Sequence, residues 1–187
     1  MGVGSYKYKS VSTDFAVFLN TFLIISTVIV FAVLIFISYQ SISNEFISNS
    51  MADTASICAD IGIDYLSICE AYPDDPEEQN RLINLYLNSN LIADKAAAYI
   101  VDGDGNIRYS NSVTYYGDDV DSLLRLAVSS VDSEQGIWQD YREITASTSE
   151  IVTGMKVGDT GLYSVVIHTM DMSSFLSAYM SIIVYPV

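Results

Sequence analysis

The chain has 187 residues, is half hydrophobic and carries a formal net charge of −15, and the two properties are separated along its length. Residues 1–39 hold Lys7, Lys9 and Asp14, a net of +1, whereas residues 40–187 hold 6 basic and 22 acidic side chains. An acidic surface with no basic stripe argues against nucleic acid as a partner, and the aromatic and β-branched residues after position 39 argue against intrinsic disorder.

The 25 residues from Phe15 to Tyr39 contain no charged side chain. As a helix they would be about 37 Å long, enough to cross a hydrocarbon core of about 30 Å with some tilt. Ser41-Ile42-Ser43 offers a cleavage spacing, but the run is far longer than the apolar part of a signal peptide, so it reads as an uncleaved anchor. Lys7 and Lys9 precede it and no Lys or Arg follows before Arg81, which by the positive-inside rule puts residues 1–14 in the cytoplasm and the acidic part outside. The final run, Phe175–Val187, is uncharged and too short to span. It reads as the start of a second membrane helix cut off at residue 187, so that residues 40–174 form one outside domain of a longer protein.

Within that domain, Tyr39 to Tyr72 has no Pro and one Gly, Gly62. Ile42, Phe46, Ile57, Ile61, Ile68 and Tyr72 form a stripe at spacings of three and four, which predicts one long helix continuing out of the membrane. Pro73-Asp74-Asp75-Pro76 ends it and opens a second helix from Glu77 to about Asn88. The period then changes. Ala97–Val101 is a continuous apolar run, Asp102–Asn106 is dense in turn formers, and Ile107–Ser110 alternates, which together predict a hairpin. Asp119–Ser130 reads as a short helix, followed by strands at Gly136–Arg142, Glu150–Val157 and Leu162–Met170, the last pair turned by Gly158-Asp159-Thr160-Gly161. Leu162–Met170 is apolar on both faces and belongs in the centre of the sheet. The fold class is α+β: a membrane helix running into a long helix packed on a five-stranded antiparallel sheet.

This order resembles the extracytoplasmic PAS-like sensor domains, also called Cache or PDC domains, of bacterial sensor histidine kinases. The likeness is carried by the hairpin from Ala98 to Asn111, an apolar strand, an Asp-Gly turn and a second strand ending in a small polar pair. Ile151–Met170 looks like the closing hairpin that leads to the second membrane helix. The resemblance implies a PAS-like sheet, a small-molecule or ion ligand, and a homodimer formed through the membrane and long helices. The same topology serves chemoreceptors and cyclic-dinucleotide enzymes, so it names a sensor module more than an output. No nucleotide-binding motif is present and the single histidine, His168, lies in a strand; the chain reads as the input end of a kinase, without catalytic residues or cofactor of its own.

Several constellations have bland readings that win. Asp102, Asp104 and Asn106 suggest calcium, but an EF-hand loop counted from Asp102 would need Gly and Glu where Ile107 and Val113 stand. Cys58 and Cys69 on one helix would be about 16 Å apart along its axis, too far for a disulfide, and read as core thiols. His168 has no second histidine with which to hold a metal. The acidic clusters 74–78, 102–104 and 118–121 read as solvated surface, with divalent-cation bridging to anionic lipid as the sharper alternative.

Trp138, Asp140 and Arg142 alternate along one strand and therefore share a face. By resemblance, Tyr115 and Tyr116 lie in the connection that covers this sheet as a pocket lid. Aromatic walls with one guanidinium suit a small carboxylate ligand, and Tyr115, Tyr116, Trp138 and Arg142 are the candidate ligand-binding residues. A rival from another class is a pilin-like or pseudopilin subunit, which also joins an apolar helix to an antiparallel sheet. It is disfavoured because residues 15–39 lack the Glu expected near the start of such a run.

Overall fold

The computed structural model describes residues 4–89, 92, 96–111, 113, 115, 119–134, 136–145, 147–173, 175 and 177. It divides into two units, residues 1–46 and 47–187. Helix α1, Gly4–Ala71, begins in the first and ends in the second. In the first unit the apolar side chains point outward: Phe18, Phe22 and Phe31 are all exposed, and none of the most apolar 18-residue window is buried. Thr21 and Thr27 return their hydroxyls to the carbonyls of Val17 and Leu23, each at 2.8 Å, so the polar atoms are satisfied within the helix. Among the described residues, one helix is long and apolar enough to cross a membrane. The segment expected to begin a second one lies, apart from Phe175 and Ser177, outside the described residues.

The second unit is α+β. Helix α2, Pro76–Leu87, starts where its sequence says, with proline in the first turn and the Asp75 carboxylate accepting from Glu78 N at 3.0 Å. Strands β1 (Ala97–Asp102) and β2 (Ile107–Ser110) form the expected hairpin. Helix α3, Val120–Ser133, is capped by Asp119 and runs three residues past its expected end, because Val131 continues the buried stripe of Leu124, Ala127 and Val128. Strands β3 (Ile137–Glu143), β4 (Thr148–Val157) and β5 (Leu162–Asp171) complete one antiparallel sheet in the order β2-β1-β5-β4-β3. β5 is central, as its two apolar faces require, and β1 is buried along its length except at Asp102.

The pleat sends alternate residues to two different cores. Cys58 and Ile61 of α1 pack with Ile83 and Leu87 of α2 on Ala98, Ile100 and Val166. On the opposite face Leu123, Leu124, Ala127, Val128 and Val131 of α3 pack on Tyr99, Val101, Val152, Val165 and Ile167, with Trp138 at the edge. Gly154 allows α3 to approach this closely, since a Cβ there would lie 2.9 Å from Val131 Cγ2. Cys58 is fully buried whereas Cys69 is half-buried, a difference from the expected pair of core thiols. Cys69 lies three turns further along α1, beside Tyr65 and Tyr109 where the helix meets the four-residue edge strand β2 rather than the sheet centre.

Candidate functional site

Strand β3 places Trp138, Asp140 and Arg142 on the α3 side, and its pairing sets Arg142 directly opposite Glu150 of β4. Trp138, 9% exposed, belongs to the apolar core beneath α3. Its indole thus packs the fold, and the charged end of the strand is where a site remains.

There Arg142 faces two carboxylates at 3.7 Å: its Nε faces Asp140 Oδ2 and its Nη2 faces Glu150 Oε2. Neither nitrogen makes a hydrogen bond to the described residues, although both atoms are buried. Glu150 is 4% exposed, and its Oε2 accepts from the Tyr115 hydroxyl at 3.1 Å. Burial and the neighbouring Glu150 carboxylate push the Tyr115 phenol up from its ordinary range, so it stays a donor. A guanidinium with two buried, unused donors can take a planar anion, because a carboxylate's two oxygens match its fork. The adjoining carboxylates keep that charge from being stranded in the absence of an anion.

Tyr115, Arg142 and, at the core edge, Trp138 are therefore brought to one face. Tyr116 lies outside the described residues. Glu150 carries no distinctive signal in the sequence, because its face of β4 also holds Thr148 and Lys156 beside Val152 and Gly154. Its pairing with Arg142 depends on register, which the sequence does not reveal.

On the other face, the described residues line a cavity and a groove. The cavity, of about 220 Å³, lies between Ala59, Gly62 and Leu66 of α1 and Met155, Val157 and Gly158. The groove, of about 470 Å³, is open and lies among Tyr65, Asn80, Arg108, Tyr109, Thr160 and Leu162. In the groove, Tyr109 donates to Asn80 Oδ1 at 2.5 Å, and the Tyr65 and Tyr109 rings sit 6.2 Å apart.

The acidic clusters have structural work. Asp75 and Asp119 cap helices, and Glu78 takes two hydrogen bonds from Arg81 at 2.6 and 2.7 Å. Asp102 organises the β1–β2 turn by accepting from the backbone N–H groups of Asp104 and Asn106 and from the Asn106 amide, with the Arg108 guanidinium ion-paired to it at 3.2 Å. These bonds, the Asn106 ones foremost, hold its carboxyl below the usual range. Among the described residues no group of three His, Cys, Asp or Glu is arranged to hold a metal ion. His168 is half-buried on β5.

Neither a protein-family model nor a curated protein sequence matches this chain.

Proposed function

We propose that this chain is the signal-input region of a membrane-bound sensor, of the PAS-like Cache or PDC type, whose parent is a two-component histidine kinase. In this reading residues 1–14 are cytoplasmic, the acidic domain lies outside the cell, and a small carboxylate-bearing ligand binds at the Arg142 guanidinium beside Tyr115. The element order supports it: an apolar helix leads into a domain of two helices, a hairpin, a third helix and three strands, with the closing strand at the centre of one antiparallel sheet. The observation that carries the ligand reading is the Arg142 guanidinium, with two buried donors unused and two carboxylates at 3.7 Å. A charge-assisted Arg–carboxylate hydrogen bond would normally close to about 2.7–2.9 Å.

The test is a thermal-shift screen of the full chain in detergent micelles with acetate, succinate, citrate and benzoate as probes. Saturation at a hundred times the dissociation constant stabilises the folded domain by about 2.7 kcal/mol. A raised midpoint that is lost in Arg142→Ala and weakened in Tyr115→Phe supports the site. A shift that persists in Arg142→Ala, or no shift with any probe, overturns it.

A further inference from the structure

We infer that Gln139 and Ser164 are positioning residues that fix the register of α1 on the sheet, by donating hydrogen bonds to two of its backbone carbonyls. Gln139 Nε2 donates to Met51 O at 2.8 Å, and Ser164 Oγ donates to Cys58 O at 2.9 Å. The two acceptors are seven residues apart, which places them on one face of the helix about 10 Å apart along its axis. A helix carbonyl uses one lone pair for its own ladder and keeps a second, which the sheet engages here at two separate points.

The donors are themselves held. Gln139 Nε2 also donates to Thr153 Oγ1 on β4 at 3.0 Å, and the Cys58 thiol lies 3.2 Å from both the Ser164 hydroxyl and its carbonyl. Around these contacts the helix presents small or polar side chains, Thr54, Cys58, Ala59 and Gly62, and the 220 Å³ cavity lies beside them. Apolar packing is non-directional and small side chains do not interlock, so packing alone would set the position of α1 loosely at this end of the sheet. Two directional bonds remove that freedom. A slide of about 3 Å, half a helical turn, takes both beyond hydrogen-bond reach at once.

Gln139 sits between Trp138 and Asp140, so one strand carries the charged site on one face and the helix latch on the other. As a route from ligand to membrane helix this rests on the proposed sensor reading; as a statement about register it does not.

Hydrogen exchange of the full chain in detergent micelles, read by mass spectrometry, tests it. Gln139→Leu keeps bulk and removes the donor, and Ser164→Ala does the same in the interior. Each is expected to speed exchange about tenfold in α1 peptides covering residues 51–62, with β4 and β5 within about twofold of wild type. Gln139→Glu presents an acceptor to a carbonyl when ionised and an O–H donor when protonated. Its α1 exchange, corrected for intrinsic rate, should return toward wild type as the pH falls below about 4.3. Unchanged α1 exchange in Gln139→Leu, acceleration spread equally over the sheet, or a Gln139→Glu effect independent of pH would each overturn the latch. No ligand enters this experiment, so a failed carboxylate screen leaves it standing, and a failed latch leaves the Arg142 site standing.

Discussion

The two faces of the sheet are closed by different means. Beneath α3 the contact is almost wholly apolar, and it is tight enough that Gly154 has no room for a methyl group against Val131. Beneath α1 the contact is apolar toward β1 and the adjoining part of β5, where Ile61, Ile83 and Leu87 meet Ile100 and Val166. Toward β4 and β3 it turns to Thr54, Cys58, Gln139, Thr153 and Ser164, and both described cavities open on this side. Close packing resists any change of position because every displacement opens voids or forces overlaps. A polar seam with space beside it resists only displacements that break its bonds. One face is therefore built as a fixed core, and the other can hold its helix in a defined register and release it at modest cost.

The largest effect should come from the close-packed face. Leu124→Ala is expected to lower unfolding free energy by about 3 kcal/mol, the usual cost of a fully buried leucine cavity. Denaturant titration of the full chain in micelles measures it, and a loss below about 1 kcal/mol would mean that α3 is not the sealed core described. Gly154→Ala should follow at about 2 kcal/mol, since the added Cβ meets a stiff valine 2.9 Å away.

The alkaline limb sharpens the other face. Burial pushes the Cys58 thiol from 9.0 up to about 12. The unfolded chain ionises this thiol first, so its contribution is intact below about pH 9 and is lost as pH rises toward 12, by about 1.4 kcal/mol per unit. Cys58→Ala should flatten the fall in denaturation midpoint between pH 9 and 11; an identical slope in both proteins would show the thiol to be solvated. The smallest effect has the opposite sign. Gly62→Ala adds a methyl 3.7 Å from Val157, an ordinary contact beside the cavity, and should raise stability by about 0.5–1 kcal/mol through helix propensity. If Gly62→Ala destabilised the protein as much as Gly154→Ala, the contrast between the faces would fail.

Much of the fold was legible because its signals are local. The Asp-Gly turn, the Pro76 helix start and the apolar last strand each place an element within a few residues. The site was legible only in part. Alternation is enough to put Trp138, Asp140 and Arg142 on one face, but it cannot say that the indole fills a core while the guanidinium meets Glu150. Equally hidden were Gln139 and Ser164, ordinary polar residues in strands whose partners on α1 lie 88 and 106 positions away.

By itself the sequence determined the kinds and order of the elements, the apolar helix compatible with a membrane, and the segregation of charge, because these follow from periodicity, turn chemistry and composition within short windows. Only the tertiary structure decided which residues stand opposite one another: Arg142 against Glu150, Gly154 beneath Val131, Gln139 and Ser164 beneath the carbonyls of α1. Strand register and helix placement are set by the combined packing of two cores on one sheet, and no single window of the chain contains that sum.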